Sequence, residues 1–445
     1  MSPELQNVYA ELLARQPENK MEPRLDPLRQ ACDLLGNPQN AYRVIHITGT
    51  NGKTSTARMI ESLIREHNLK TGRYTSPHLE SITERISIDG EAVDEETFCE
   101  VYEDIKPYLQ MVDEQLKAEG ENILTFFETI TILGFAIFAH YAVDVAIVEV
   151  GLGGKWDATN IVKPDVAVFT PIDLDHTEVL GDTVEEIAEE KAGIIKEDAF
   201  VISAVQDRDV AQILLDTSQE KGAQAFFEGV QFGVTSRTLA VGGQLLDFKG
   251  LAGDYPHVLV PLFGEHQAQN AAVALAAVEA FIGGGQKQLS TDIVEEGFLK
   301  ATSPGRIELL RSAPTIMIDA AHNPAGAKTL ATTLKESFNF TRIIGIVAVL
   351  QGKDARGIFE ELKDTFDEVI VTESQSPRAI PTEELEEYAY DVFDERNVSA
   401  QPKLDTAIEM AVEAAEADGE LSGAVVACGS ITLIGEVKTL LGTRK

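Results

Sequence analysis

The segment from Val44 to Thr54 most constrains the fold of this chain, because it combines a strand pattern, a tight turn and the start of a helix. A largely β-branched run, Val-Ile-His-Ile-Thr, is followed directly by Gly-Thr-Asn-Gly-Lys-Thr. The two glycines let backbone N–H groups close around an anion, and the start of a helix adds its dipole. The pattern is typical of a phosphate-binding loop, although Ile47 stands where the commoner form has glycine.

A nucleotide is the first ligand that this loop predicts. Lys53 would neutralise phosphate charge, and Thr54 offers a hydroxyl group to Mg²⁺. A chance glycine-rich turn is the alternative, since short loop patterns also arise without a function.

Length and composition predict a folded protein with more than one domain. The chain has 445 residues, which is more than one hydrophobic core usually serves. Of these residues 44% are hydrophobic and 25% are charged, which is an ordinary composition for a globular protein. Cys32, Cys99 and Cys428 are odd in number and widely spaced, which argues against disulfides or structural zinc and fits a reducing cytoplasm. No signal-peptide pattern opens the chain, and the longest apolar runs, 130–139 and 271–285, are too short or interrupted to span a bilayer.

The net charge of -36 bears on the partners of the chain. Nucleic acids and anionic membranes both favour a basic face, so we expect neither as a partner. We interpret the charge as a solvated acidic surface, and because no large apolar stripe is evident we expect a monomer. Anionic substrates would then need a local positive site, for which the candidates are Arg85, Lys155, Arg306 and Lys328.

Short apolar runs alternate with helical patterns, which predicts an α/β fold with a buried, mostly parallel sheet. The runs are 42–48, 143–150, 165–170, 199–204, 315–319, 343–349, 368–371 and 424–427. A change to short glycine-rich segments between Ala225 and Pro261 indicates an antiparallel hairpin region. Pro304 and Gly305 interrupt a helical pattern, so we predict two domains, 1–302 and 303–445.

Ligand-type side chains follow several predicted strands at their carboxyl ends, where open α/β sheets bind ligands. Glu149 is a natural Mg²⁺ ligand, with a solvated surface carboxylate as the alternative reading. His176 lies where a metal would be expected, and Asp173 or Asp175 would either bind the metal or orient His176. Ser76 offers another hydroxyl for a metal or an anion.

Two further segments are less informative from their residues alone. Lys191 follows an acidic helix face and reads as an exposed i,i+4 partner to which we assign no function. Asp319 and His322 close the first strand of the second domain, which places their polar groups at the ligand-binding end of that sheet.

Taken in order, eight motifs resemble the folylpolyglutamate synthase and dihydrofolate synthase branch of the Mur ligase family. The resemblance runs from about residue 40 to the end of the chain. The motifs lie at 48–54, 75–79 with 83–86, 149–154 with 157–160, 175–177, 190–193, 264–267 with Asn270, 304–306 and 319–324. The resemblance implies the Mur ligase architecture, in which a P-loop ATPase domain with a parallel sheet precedes a smaller Rossmann-like α/β domain.

The resemblance also implies an ATP-dependent ligase that adds L-glutamate to folates, and to dihydropteroate to make dihydrofolate. A carboxylate is a poor electrophile, so its oxygen attacks the γ-phosphate to form an acyl phosphate, which the amine of glutamate then displaces. Two Mg²⁺ ions and Lys53 would neutralise the anions that meet during phosphoryl transfer. The implied cofactors are thus ATP and two Mg²⁺ ions, and the partners are small molecules.

The family pattern assigns roles to individual residues. It implies that the nucleotide is bound by Gly49, Thr50, Asn51, Gly52, Lys53, Thr54, Asn270, Arg306, Asp319 and His322. Ser76 and Glu149 would bind one Mg²⁺, and Glu149 with His176 the other. Lys191 would be a carbamylated lysine that supports the second metal, so that catalysis would involve Lys53, His176, Lys191 and Arg306. The pterin would contact Thr125, Trp156, Asp157 and Ala158, together with an N-terminal loop near residues 21–24.

Two other functions remain as alternatives. A Mur-type ligase acting on another acid, such as a cell-wall precursor or a storage peptide, is disfavoured because we see no extra N-terminal domain for a UDP-linked substrate. A nucleotide-switched regulatory protein would not need metal ligands at further strand ends, and the chain lacks the Asn-Lys-x-Asp pattern that reads guanine.

Overall fold

The chain divides into two compact units, each with its own parallel sheet. Unit 1 consists of Met1–Pro261 and Gln267–Thr302, and unit 2 of Leu262–His266 and Ser303–Lys445. The computed structural model describes residues 1–16, 22–417 and 423–442. The short segment Leu262–His266 groups with unit 2 although it precedes residue 302, after which we predicted the domain boundary.

The main sheet of unit 1 has eight strands in the order β4-β3-β2-β5-β1-β6-β7-β8. They are β1 (Arg43–Thr48), β2 (Thr71–Tyr74), β3 (Ile86–Ile88), β4 (Glu91–Ala92), β5 (Val145–Glu149), β6 (Val166–Phe169), β7 (Phe200–Ser203) and β8 (Gln224–Phe227). All neighbours from β2 to β8 are parallel, and only β3 and β4 are antiparallel. The predicted parallel α/β sheet is confirmed, with β5, β1 and β6 side by side.

The part of the chain described up to residue 302 contains ten α-helices. They are α1 (Pro3–Leu13), α2 (Asp26–Leu34), α3 (Lys53–Arg65), α4 (Glu95–Glu119), α5 (Phe126–His140), α6 (Thr177–Leu180), α7 (Val184–Ala192), α8 (Arg208–Glu220), α9 (Glu265–Gly283) and α10 (Thr291–Leu299). Apolar residues of α1, α2, α4 and α5 share one buried cluster with β2 and β5. Those of α7 and α8 share another with β6 and β7.

Helix α3 begins directly after the phosphate loop and packs an apolar stripe into the core. The residues of this stripe are fully buried: Met59, Ile60, Leu63 and Ile64. Glu61, a charged residue of the same helix, is also buried. Its carboxylate accepts hydrogen bonds from Arg73 Nε at 2.6 Å and Thr71 Oγ1 at 3.2 Å. The paired arginine compensates for the desolvation of this carboxylate.

A separate antiparallel sheet follows in the region where we predicted hairpins. Its strands, in the order β11-β10-β9, are β9 (Gly233–Ala240), β10 (Gly243–Lys249) and β11 (Asp254–Val260). The antiparallel prediction is confirmed, but its start near Ala225 was wrong, because β8 pairs in parallel with β7. Strand β8 is a short, half-buried edge strand, so its sequence lacks the continuous apolar run of a central parallel strand.

Unit 2 has a six-stranded sheet in the order β12-β13-β17-β14-β15-β16, in which only β12 is antiparallel to its neighbour. The strands are β12 (Glu308–Ser312), β13 (Thr315–Ile318), β14 (Arg342–Val347), β15 (Glu368–Val371), β16 (Val398–Ala400) and β17 (Gly423–Cys428). The helices are α11 (Pro324–Ser337), α12 (Ala355–Leu362), α13 (Thr382–Tyr390), α14 (Leu404–Glu416) and α15 (Ile431–Gly442). The second α/β fold is therefore confirmed.

Two expectations from composition concern disulfides and membranes. Cys32, Cys99 and Cys428 are free thiols. Burial raises the pKa of Cys32 to about 12, which keeps this thiol protonated and unreactive. Among the described helices, none combines the length and the apolar character that a bilayer span requires.

Candidate active site

The phosphate loop requires glycine at two positions. Gly49 has a φ of 147° and Gly52 a φ of 88°, which are conformations that other residues rarely adopt. A Cβ atom at Gly49 would lie 1.9 Å from Thr170 Oγ1, and one at Gly52 would lie 2.6 Å from Asn270 Oδ1. Both glycines are thus needed for backbone conformation and for space.

Thr50 attaches the loop to the segment that follows β6. Its N–H donates to Pro171 O at 2.9 Å, and its hydroxyl donates to Asp173 O at 2.9 Å. The N–H of Asp173 donates back to the same hydroxyl at 3.0 Å. Beyond Thr50 the loop enters α3, and the first-turn N–H groups of a helix have no acceptor within the helix. This end of α3 is therefore suited to bind phosphate.

Two lysine side chains converge on the loop backbone. Lys53 Nζ donates to Gly49 O at 3.0 Å and to Thr50 O at 3.1 Å. Lys191 Nζ, from α7, donates to the same Gly49 O at 2.9 Å. The loop thus brings together two amines that are far apart in the sequence.

The structure overturns our interpretation of Lys191 as an exposed helix partner, because only 4% of this residue is exposed. The turn after β5 packs closely on α7, so that a Cβ atom at Gly154 would lie 2.7 Å from Lys191 O. Burial, together with the positive charge of Lys53, lowers the pKa of Lys191 to about 7. A sizeable fraction of this amine is therefore neutral at physiological pH.

Glu149 ends β5 beside the phosphate loop. Strand β5 pairs in parallel with β1, so that Ile47 lies opposite Glu149. Thr54 Oγ1 lies 2.9 Å from each of the two carboxylate oxygens. Glu149 is only 2% exposed, so the alternative of a solvated surface carboxylate was wrong.

The sheet order brings three predicted metal ligands to one edge. Ser76 follows β2, Glu149 ends β5 and His176 follows β6, and these strands are parallel neighbours around β1. The backbone N–H of His176 donates to Asp175 Oδ1 at 2.9 Å, and its Nε2 atom lies 3.9 Å from Asp175 Oδ2. Asp175 thus contacts His176 and is placed to orient it.

The donor set at this edge fits Mg²⁺ that binds together with a nucleotide. Within residues 1–16, 22–417 and 423–442, no three His, Cys, Asp or Glu side chains gather as a complete metal site. Mg²⁺ usually binds one or two carboxylates and takes its other ligands from phosphate and water. Glu149, His176 and the hydroxyl of Ser76 are compatible with that pattern.

Asn270 lies beside the phosphate loop, on helix α9. Its Nδ2 atom donates to Gln267 Oε1 at 3.2 Å, and Gln267 Nε2 donates to Ser55 Oγ on α3 at 3.3 Å. Sequence reasoning missed Gln267 as the link between these helices. A polar side chain one helical turn before Asn270 was the available signal.

Unit 2 has its own polar cluster at the end of β13. The Asp319 carboxylate accepts hydrogen bonds from the N–H of Ile307 at 2.9 Å and from the N–H of Ala321 at 2.8 Å. Burial raises the pKa of Asp319, while the positive charge of Arg306 opposes this shift. His322 Nδ1 donates to a backbone carbonyl at 2.9 Å. Asp319 therefore links the segment that contains Arg306 to the segment that contains His322.

The predicted pterin residues of the turn after β5 differ in exposure. Trp156 is 38% exposed, whereas Asp157 is only 2% exposed. Asp157 Oδ1 accepts hydrogen bonds from both the N–H and the hydroxyl of Thr159, and its Oδ2 atom accepts from Leu152 N at 2.9 Å. Burial raises the pKa of Asp157. This carboxylate organises its own turn, next to the buried Ala158.

Thr125 begins helix α5 with a reciprocal cap. Its hydroxyl accepts from Glu128 N at 3.1 Å, and its N–H donates to Glu128 Oε2 at 2.7 Å. Arg24 binds the Glu128 carboxylate through two contacts of 3.1 Å and also donates to the carbonyl of Ile123. Sequence reasoning named Arg24 only as part of an N-terminal loop, of which residue Met21 lies outside the described residues.

Among the residues proposed for a positive site, Arg85 is buried. Its Nε atom donates to His78 Nδ1 at 2.9 Å, and its guanidinium lies 5.3 Å from the centre of the Phe126 ring. Lys155 Nζ lies 5.5 Å from the centre of the Trp156 ring. These two cations therefore flank the predicted pterin residues in unit 1.

Known proteins resemble this chain over nearly its full length. Residues 47–278 match the family model of the Mur ligase middle domain, and residues 305–431 match that of the Mur ligase glutamate ligase domain. A dihydrofolate synthase/folylpolyglutamate synthase of Mycobacterium tuberculosis is 45% identical over 96% of this chain and 92% of its own. The protein of that name from Bacillus subtilis is 31% identical over 95% of both chains.

A solved structure shows the same fold. Crystal structures of M. tuberculosis folylpolyglutamate synthase complexed with ADP and AMPPCP include a chain that is 44% identical, with a TM-score of 0.94. The superposition covers 99% of this chain and 98% of that chain. The predicted family resemblance is therefore confirmed by sequence and by structure.

Proposed function

This chain belongs to the Mur ligase family, in its dihydrofolate synthase/folylpolyglutamate synthase branch, and we propose that it uses ATP to join L-glutamate to folates through an amide bond. The observation that best supports this function is the contact between Thr54 and Glu149, which joins the phosphate loop to a buried carboxylate. The proposed substrates are ATP, L-glutamate and a reduced folate, with dihydropteroate as a second acid.

The first chemical step is phosphoryl transfer to the acid. A carboxylate oxygen of the folate attacks the γ-phosphorus, the bond to the bridging oxygen breaks, and ADP leaves with that oxygen. The loop and Lys53 hold the phosphates and offset the charge that shifts between them. Asn270, Arg306, Asp319 and His322 are the proposed remaining contacts of the nucleotide.

The second step forms the amide. The neutral amine of glutamate attacks the acyl carbon, and inorganic phosphate leaves from the tetrahedral intermediate as the amine loses a proton. Bound Mg²⁺ would supply the positive charge that brings these anions together, with Ser76, Glu149 and His176 as its protein ligands. Glu149 is held ready for this task by the Thr54 hydroxyl.

Lys191 is the proposed site of carbamylation. Its neutral amine would attack CO₂, so that a new N–C bond forms and a proton is released. The pKa of about 7 supports this proposal, because only the neutral amine is a nucleophile. The product is an anion next to Gly49 that would support the second metal site.

The proposed acid site uses Thr125, Trp156, Asp157 and Ala158. Asp157 is of the right type to accept from the donor edge of a pterin, and Trp156 offers an exposed aromatic face. We assign residues 1–302 to the ATP-binding central domain with its N-terminal segment and residues 303–445 to the glutamate ligase domain, in a monomeric, cytoplasmic enzyme. These assignments follow the family pattern.

A product assay tests the function. We would incubate the purified protein with MgATP, glutamate and either dihydropteroate or tetrahydrofolate, and measure the product masses. Gain of one glutamate by both acids indicates a bifunctional enzyme. Gain by tetrahydrofolate alone indicates a synthase that only extends the tail. No gain on either acid, with Glu149→Gln as the inactive control, would contradict the proposal and favour another Mur-type acid or a nucleotide-dependent switch.

A further inference from the structure

Gln206 binds the segment that follows β6, although it lies beyond the end of β7. Its side-chain Nε2 donates to Thr170 O at 3.0 Å, and its Oε1 accepts from Ile172 N at 3.0 Å. The same Nε2 donates to Ser203 Oγ at 3.3 Å. Both functional groups of one amide are thus used on the two residues that flank Pro171.

Pro171 is the residue that receives the phosphate loop. Its carbonyl accepts the N–H of Thr50 at 2.9 Å, and Asp173 exchanges two hydrogen bonds with the Thr50 hydroxyl. Residues 171–173 therefore form a short template for Thr50. Gln206 binds the backbone of this template at Ile172 and also binds Thr170, the residue just before it.

The template depends on such support because it belongs to neither a strand nor a helix. Strand β6 ends at Phe169 and helix α6 begins at Thr177. Proline has no N–H to donate, so Pro171 cannot be fixed by a hydrogen bond from its own nitrogen. The side-chain amide of Gln206 supplies the contacts that strand pairing supplies elsewhere in the sheet.

The backbone next to Gln206 is itself held. Val205 N donates to Glu228 Oε2 at 3.2 Å, and Glu228 is buried just after the end of β8. A series of contacts therefore runs from β8 through residues 205 and 206 to the template and on to Thr50. The exposed Gln212, on the neighbouring helix α8, differs from Gln206 because its amide donates to Asp216 Oδ1 of the same helix, at 2.7 Å.

We propose that Gln206 is a positioning residue for the phosphate loop, which holds residues 170–172 in the conformation that presents Pro171 O and Asp173 to Thr50. Gln206 need not touch the nucleotide for this role. The inference rests on the proposed function, because it takes the loop to be the ATP site. Its removal should weaken nucleotide binding more than it alters the use of the other substrates.

The exchange Gln206→Met tests this role, because methionine keeps the length of the side chain and loses all three hydrogen bonds of the amide. We expect ADP affinity, measured by titration calorimetry, to fall about tenfold, and KM for ATP to rise to a similar extent. KM for glutamate should change by less than about twofold. The variant Gln206→Glu keeps an acceptor for Ile172 but turns an oxygen towards Thr170 O, and we expect it to bind ADP no better than Gln206→Met.

A matched control and a double variant separate positioning from general stability. Gln212→Met makes the same exchange on α8 and should leave ADP affinity unchanged. A Thr50→Ala background lacks the hydroxyl contacts with Asp173 but keeps the N–H contact with Pro171 O. In that background Gln206→Met should weaken ADP binding by less than in the wild type, because part of the route through Thr50 is already lost. Equal losses in both backgrounds would overturn the inference, as would lower thermal stability of Gln206→Met with wild-type ADP affinity.

The wild-type protein distinguishes failure of this inference from failure of the proposed function. Wild-type protein that binds no ADP and adds no glutamate would contradict the proposed function itself. Wild-type protein that does both, while Gln206→Met binds ADP equally well, would overturn only the role of Gln206.

Discussion

Thr54 Oγ1 lies at the same distance, 2.9 Å, from both carboxylate oxygens of Glu149. Thr54 belongs to the first turn of α3, whereas Glu149 ends β5, 95 positions later in the chain. Their contact exists because β5 inserts beside β1 in the sheet, with Glu149 opposite Ile47. It joins the residue that closes the phosphate loop to the carboxylate that we propose as a ligand of Mg²⁺.

Removal of the charge of Glu149 should abolish turnover without unfolding the protein. In Glu149→Gln the side chain keeps its shape and its hydrogen bond to Thr54 but loses the negative charge that attracts Mg²⁺. We expect kcat to fall at least about 100-fold, while the circular dichroism spectrum stays the same. ADP affinity measured without Mg²⁺ should be little changed.

The hydroxyl of Thr54 offers a graded comparison. Thr54→Ser keeps the hydroxyl and should retain most of the activity, whereas Thr54→Val keeps the shape and should lose about tenfold or more. Equal activities of the serine and valine variants would show that the contact with Glu149 does not matter for turnover.

The strands that sequence patterns predicted are mostly aliphatic and are buried along most of their length. Strand β1 is a largely β-branched run that is buried from Val44 to Thr48, because parallel strands in the middle of a sheet are covered on both faces. Strand β2 was missed because it reads Thr-Gly-Arg-Tyr, in which the burial of Arg73 is compensated mainly by its ion pair with Glu61, with further hydrogen bonds to the hydroxyls of Thr75 and Ser87. That pairing is created by the fold and has no local signature.

The candidate site shows the same limit. The loop and Glu149 were predicted from residues alone, since glycines and a strand-terminal acid have local meaning. Lys191 had no such signal, because its burial depends on the close approach of Gly154 on a distant turn. The template at 171–173 was likewise not predicted, since its hydrogen bonds join three separate segments.

Carbamylation of Lys191 should depend on pH in a defined direction. The neutral amine is the reactive form, and its pKa is about 7, so the reactive fraction rises as pH increases through 7. We expect ¹³C-bicarbonate to give a carbamate signal in the NMR spectrum that is strong at pH 8 and about tenfold weaker at pH 6. When bicarbonate is added back to CO₂-depleted enzyme, the recovery of activity should show the same dependence on pH.

A second lysine, which is partly buried, provides the control for this experiment. Burial lowers the pKa of Lys196 to about 8, and its Nζ atom donates to Gly193 O at 3.0 Å. Lys191→Gln should abolish the carbamate signal, whereas Lys196→Gln should retain it. Persistence of the signal in Lys191→Gln would place the modification elsewhere.

Thr125 combines a capping role with the proposed pterin contact, and two substitutions separate them. Thr125→Ser keeps the hydroxyl that accepts from Glu128 N, and should preserve both stability and activity. Thr125→Val loses the cap, which should lower the free energy of unfolding by about 1 kcal/mol in urea denaturation. If Thr125 also contacts the pterin, KM for the acid should rise in Thr125→Val while KM for ATP is unchanged. An unchanged KM for the acid would limit Thr125 to capping.

His46 should make the protein sensitive to mild acid. It is fully buried on β1, its Nε2 atom lies 2.8 Å from Thr159 Oγ1, and burial lowers its pKa from 6.5 to about 3. Between these values the unfolded chain binds a proton that the folded protein does not, so stability is lost as pH falls from 6.5 towards 3. From pH 7 to pH 4 this effect amounts to about 3 kcal/mol.

The exchange His46→Gln tests this effect, because glutamine also offers an N–H to Thr159 and does not titrate. Urea denaturation of the wild type and of His46→Gln at pH 7 and pH 4 gives the loss of unfolding free energy for each. We expect that loss to be smaller in His46→Gln by about 3 kcal/mol. The same exchange at the exposed His140 should leave the wild-type loss unchanged. Equal losses in wild type and His46→Gln would show that His46 titrates alike in the folded and unfolded chains, and that another buried group accounts for any acid sensitivity.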